Sequence, residues 1–178
     1  MIEEHLFTFF IDFSLIMLPI SIVVSRERGL KKALNRLGFR KAPIKGVLKS
    51  SVKLFLAMIA VSLWISLAAI FLNINDLELV SQTMQQAKAA VPLLFWFITV
   101  RVVSEEIFFR GFLVEKIGPV ASSAVFALFH LGYGSVTEIV GAFILGLVLA
   151  KALQLNKNLY PNIFAHIAYN AVALFALV

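Results

Sequence analysis

The chain has 178 residues, of which 61% are hydrophobic and 15% charged, with a net charge of +6 and no cysteine. Its mean hydropathy is +0.94, whereas an ordinary soluble domain is nearer half apolar and a quarter charged. The composition excludes a conventional water-soluble domain, and the missing cysteines exclude disulfides and thiolate metal sites.

The apolar residues fall in continuous blocks, each near the roughly 20 residues a bilayer helix needs. They do not alternate as the strands of a membrane barrel do. Backbone groups in lipid must bond within their own segment, which leaves helices. The expected fold is therefore all-α, a polytopic transmembrane helical bundle of about six spans. Residues 1–178 read as a single integral membrane domain, with no internal repeat or low-complexity tract.

In chain order, spans are expected at about 6–24, 52–72, 90–116, 120–131, 136–153 and 160–177. The first block carries Glu3 and Glu4 where a secretion signal has basic residues, and no small-residue cleavage site closes it. It reads as a mature helix. Ten of the sixteen Lys and Arg residues lie between Arg26 and Lys53, nine of them in a basic loop of about 25–51. The positive-inside rule puts that loop in the cytoplasm. Lys116, Lys151 and Lys157 then share its side, and both termini are external. Anionic headgroups of the lipid bilayer are the expected partner of the loop; nucleic acid is not. The polar stretch 73–88 is expected as a short helix along the membrane surface.

Ionisable residues inside a span are costly and default to a functional reading. The densest set is RVVSEEIFFR, Arg101–Arg110, on the third span. Residues four apart share a helix face, so Arg101 can reach Glu105 and Glu106 can reach Arg110. Adjacent glutamates point about 100° apart and cannot share one role. Both pairs could simply neutralise buried charge in a structural helix. Further breaks bear on that choice: His130 on the fourth span, and His166 with Asn170 on one face of the sixth. A lone histidine in a helix is usually a packing residue, but two in different spans beside a dicarboxylate are harder to dismiss. Asp12, in the first span, is expected to face the interface near the helix end, with Arg101 as its alternative partner.

Depth ties these groups together. If spans three and four turn at Gly118–Pro119, Glu105 is 13 residues before Gly118 and His130 is 12 after it. Both then lie roughly 18–20 Å from the turn. His166, ten residues beyond Asn156, would be roughly 15 Å deep.

Three strings in these spans resemble the CAAX-protease and bacteriocin-processing family, in particular its type II CAAX prenyl endopeptidases. Glu105-Glu106-Ile107-Phe108-Phe109-Arg110 is similar to the family's EExxxR motif, and Gly111-Phe112-Leu113 continues it. Phe126 to His130 is similar to FxxxH, and His166 to Asn170 to HxxxN. The resemblance covers a motif-bearing core of about 90–178; the first two spans and the basic loop carry no such motif.

The resemblance implies an intramembrane endopeptidase with a cavity open toward the cytoplasm, acting on a membrane-embedded or lipidated peptide. In prenyl-processing members the last three residues of a lipidated C-terminus are removed. Carried over, Glu105 would be the general base that activates water and His130 its partner. His166 and Asn170 would stabilise the oxyanion, and Glu106 and Arg110 would be supporting residues. One glutamate with two histidines could also bind Zn2+ through Glu105, His130 and His166, although there is no HExxH helix. A metal-free Glu–His pair accounts for the same residues, so no cofactor is required. The alternatives from other classes are a non-catalytic scaffold or bacteriocin-immunity-type protein on the same fold, and a small proton-coupled transporter.

Overall fold

The computed structural model describes residues 2–74, 76–88 and 91–176. All regular structure among them is helical, as the lipid argument requires. α1 (Ile2–Glu27) is followed by the short α2 (Leu30–Arg36), α3 (Ile44–Phe71) and α4 (Leu77–Lys88). A long helix, α5, then covers 91–117 and contains two π-helical stretches, Phe97–Arg101 and Glu106–Leu113. α6 covers 119–128, a 3-10 turn follows at Leu131–Tyr133, and α7 (Val136–Asn156) and α8 (Tyr160–Ala176) complete the bundle. The expected span edges at Ala90 and Leu177 lie outside the described residues.

Each break has a local cause. Gly118 takes φ 82, a conformation that side chains resist, and so reverses the chain between α5 and α6. Pro119 starts α6, where its missing N–H costs nothing. The reversal is a hairpin: Ser122 Oγ donates to the Phe109 carbonyl at 2.6 Å, and the Phe109 and Phe126 rings meet edge-on at 5.1 Å. Lys157 adopts φ 51 and closes α7. Ser135 caps the start of α7 by accepting from the Glu138 N–H at 3.0 Å.

Four helical stretches are long and apolar enough to cross a membrane: Leu6–Glu27, Ile44–Phe71, Leu94–Tyr133 and Val136–Asn156. Expected spans three and four are the two limbs of the third stretch, and the sixth is α8, which has 17 described residues. The chain is an integral membrane protein. Phe7, Phe10, Phe13, Trp64 and Phe71 are exposed on the outside of the bundle, where water would oppose them and lipid does not.

One boundary is corrected. α3 begins at Ile44, not near residue 52, so Lys45 and Lys49 are helical rather than part of a loop. At 28 residues it is about 42 Å long, more than the roughly 30 Å hydrocarbon core. Its basic first turns therefore extend into the headgroup layer.

α3 packs against α7 and α8, α6 against α7, and α1 against α2 and the middle of α5. Gly111 is required where α5 crosses the end of α2: a Cβ there would meet the Leu37 carbonyl oxygen at 2.7 Å. The basic segment, the α5–α6 turn and the α7–α8 connection occupy one end of the bundle. Arg36 bonds to Glu115 at 2.6 Å, the Leu159 N–H to the Gly38 carbonyl at 2.8 Å, and Asn158 Nδ2 to the Arg40 carbonyl at 3.1 Å.

Candidate active site

The two glutamates of α5 diverge as helix geometry demands. Glu105 accepts from Arg101 Nε at 3.1 Å. Glu106 lies 3.4 Å from Arg110 Nη1, with both side chains sealed from the surface. Both expected i,i+4 pairs therefore form. π-Helical turns flank them, and such turns recur at functional sites because they shift side chains out of regular register.

Glu106 is the hub of an enclosed network. Its Oε1 accepts from His166 Nδ1 at 3.0 Å and its Oε2 from Asn162 Nδ2 at 3.2 Å. Asn162 also donates to the Leu149 carbonyl at 2.8 Å, tying α8 to α7. The Arg110 guanidinium lies 3.9 Å from the centre of the Phe126 ring. Neither of its terminal nitrogens meets hydrogen-bond geometry, so charge and ring contact hold it there.

His166 bridges the two carboxylates. A carboxylate only accepts, so the proton on Nδ1 is the one shared with Glu106. Nε2 is left 4.0 Å from Glu105 Oε2. His130 is fixed from the other side. Its Nδ1 donates to the Phe126 carbonyl at 2.9 Å, and its ring packs against Phe126 and Tyr133. Glu105, His130, His166 and Asn170 all line one cavity of about 160 Å³. Three of these four, Glu105, His130 and His166, are the residues that the depth argument put at similar depth.

The cavity also takes Ser62, Ser66, Leu77, Tyr133, Glu138 and Tyr169. These belong to the second halves of α3 and α8, the 3-10 turn, the first half of α7, and α4, all remote from the basic end. The cavity lining is therefore weighted toward the end of the bundle remote from the basic segment. Hydrophobic blocks carry no sign of this, because the offset arises from where the helices pack along one another. α4 exists as expected but covers the cavity end, with Leu77 and Val80 in its wall.

Asp12 is a second correction. It is 1% exposed and accepts from Trp96 Nε1 at 2.7 Å and Ser104 Oγ at 3.4 Å. α1 turns this face onto α5 while Phe10 and Phe13 face outward. Two residues of the site were not anticipated. Asn162 had a signal, standing four residues before His166 as Asn170 stands four after it. Glu138 had only its charge inside an apolar span.

The proposed zinc set is not assembled. No group of three or more His, Cys, Asp or Glu side chains among the described residues is arranged to hold a metal ion. His166 Nδ1 is already committed to Glu106. The steps derived below therefore use side chains alone.

The fold and site define a polytopic helical membrane protein with an enclosed carboxylate–imidazole cluster. Residues 87–172 match the family model described as type II CAAX prenyl endopeptidase Rce1-like. That segment, just under half of the chain, holds all three motifs. Comparison with curated proteins gives no match, and neither does comparison with solved structures.

Proposed function

We propose that the protein is an intramembrane endopeptidase that hydrolyses a membrane-associated, prenylated (CAAX-type) peptide by activated-water attack. The observation that carries this reading is the convergence of Glu105, His130, His166 and Asn170 on one cavity within the bundle. The match of the motif-bearing segment to a CAAX-protease family model supports the substrate class.

In this reading Glu105 takes a proton from water as the oxygen attacks the scissile carbonyl. His130, with Nδ1 bonded to the backbone, presents Nε2 to orient that water. The carbonyl oxygen becomes an oxyanion, which accepts from the Asn170 amide and from Nε2–H of a His166 cation. Glu106 supplies the counter-charge for that cation through Nδ1. The C–N bond then breaks and the amine leaves with the proton held by Glu105. Donors fixed in advance in a water-poor cavity act strongly on such developing charge. Arg110 and Asn162 keep Glu106 in place. The apolar wall formed by Met58, Ile65 and Leu145 suits an apolar substrate.

The test is cleavage by the reconstituted protein of a prenylated C-terminal peptide and its unmodified counterpart. Wild type is compared with Glu105→Ala and His130→Ala, with and without a chelator. General acid–base catalysis contributes about 10²–10⁴-fold, so each variant is expected to lose at least about a hundredfold. Activity that resists the chelator supports the side-chain mechanism, and sensitivity to it supports the zinc one. Retained activity in Glu105→Ala refutes the assignment of the base. If wild type cleaves neither peptide, the scaffold reading replaces this one.

A further inference from the structure

A second cavity, of about 250 Å³, lies at the basic end of the bundle. Three segments distant in sequence wall it: the end of α2 with the residues after it, the end of α5, and the end of α7. Arg36, Arg40, Arg110 and Lys157 line it, against one carboxylate, that of Glu115. Two of these cations are balanced. Arg110 is held at Glu106, and Arg36 pairs with Glu115 at 2.6 Å and with Glu27.

Arg40 and Lys157 are not balanced. Arg40 commits its Nε to the Asn35 carbonyl at 3.2 Å. Among the described residues, neither its terminal nitrogens nor Lys157 Nζ has a hydrogen bond or a carboxylate partner. The one carboxylate of the cavity is already shared by Arg36 and Lys116. Two like charges from different walls therefore face one space that holds no counter-charge for them. Leu37, Val114 and Leu153 make the rest of the lining apolar, and a concave site of one charge sign with such walls focuses its field.

The backbone at Lys157 points the same way. It takes φ 51, the left-handed conformation after a helix that glycine or asparagine ordinarily fills. A lysine there carries backbone strain. A cation serving only the helix dipole could stand in the last turn without it, and the last turn of α7 has none. The strained position is the one that brings the charge to the cavity.

We propose that this cavity binds the phosphate of an anionic phospholipid headgroup, with Arg40 and Lys157 as its donors. The cavity shares its end of the bundle with the first turns of α3, which extend into the headgroup layer. Inorganic phosphate offers the same chemistry from water, but an anionic leaflet concentrates lipid phosphate at this depth. A diffuse attraction between the basic segment and anionic lipid needs no particular residue, whereas this site needs two. It stands apart from the endopeptidase reading and does not depend on it.

The full chain in a neutral detergent, titrated with short-chain phosphatidylglycerol, short-chain phosphatidylcholine or sodium phosphate, tests the site. The ligand-dependent rise in the unfolding midpoint gives the apparent affinity. Phosphatidylcholine carries a cation of its own and should bind wild type at least about tenfold more weakly than phosphatidylglycerol, as should sodium phosphate. Arg40→Gln/Lys157→Gln should lose at least about tenfold for phosphatidylglycerol, because each charge-assisted bond is worth about that much. Lys45→Gln/Lys49→Gln removes the same charge from the start of α3, outside the cavity, and should stay within about twofold of wild type. Lys157→Gly separates binding from folding. Glycine accepts the left-handed conformation, so this variant should unfold no earlier than wild type without ligand and still lose affinity.

Equal losses in the two double variants overturn the proposal, because net charge alone would then attract the lipid. So does a wild type that phosphatidylglycerol and phosphatidylcholine protect alike. Protection by sodium phosphate equal to that by phosphatidylglycerol overturns the lipid assignment in favour of a free anion. If the Arg40→Gln/Lys157→Gln variant does not fold, Lys157→Gly against Lys45→Gln/Lys49→Gln decides.

Discussion

Replacing Arg110 by methionine removes the charge that accompanies Glu106 while nearly preserving side-chain bulk. Arg110 Nη1 is 3.4 Å from Glu106 Oε1, and neither side chain reaches the surface. At an effective dielectric of about 20, two unit charges at that separation attract by about 5 kcal/mol. Glu106 would keep its bonds from His166 and Asn162, and methionine could still pack on the Phe126 ring. The expected net cost is about 3–5 kcal/mol, the range for stranding one member of a buried pair. Denaturation of the micelle-solubilised protein by increasing SDS measures it. The double variant Glu106→Gln/Arg110→Met removes both charges and should be more stable than Arg110→Met alone. A single variant within about 1 kcal/mol of wild type, or a double variant less stable than the single, would refute the view that charge balance holds this network.

Asp76 makes a pH-dependent prediction outside the spans. Its Oδ2 accepts from the Val136 and Thr137 N–H groups at the start of α7. Burial raises its pKa, but these backbone bonds and the neighbouring Thr137 and Ser135 hydroxyls hold it below the ordinary 3.8. Its contribution is therefore complete above that value and disappears as pH falls through the depressed one. Asp76→Ala should cost about 1–2 kcal/mol near neutrality, and the gap to wild type should close in strong acid; a gap that persists there would contradict the assignment. Opposite placement of the cavity and the basic end predicts that Lys41→Cys and Gln82→Cys, in a chain without native cysteine, label from opposite faces of sealed vesicles. Labelling from one face would overturn that geometry, and the positive-inside rule expects Lys41 on the cytoplasmic face.

The local parts of the site were legible in the residues. Arg101 with Glu105 and Glu106 with Arg110 needed only helical periodicity, and the pairs survive the π-helical turns around them. The Gly118–Pro119 reversal followed from the two residue types, and with it the shared depth of Glu105 and His130. Asp12 was misplaced because its partners, Trp96 and Ser104, are over eighty residues away. Which way α1 turns depends on the shape of α5, and no local pattern carries that. The start of α3 was placed too late because lysines that end a hydrophobic block need not end a helix.

Composition and block length alone determined that this chain is a helical membrane protein, because lipid leaves the backbone no other way to satisfy its polar groups. They could not determine which apolar face turns inward, since lipid and protein interior both accept the same side chains. Only the tertiary structure decided that Asn162 and His166 meet Glu106, that Glu138 enters the cavity, and that the cavity lies away from the basic end. Those facts depend on how the helices are rotated and offset along one another, and that is settled by packing between distant segments.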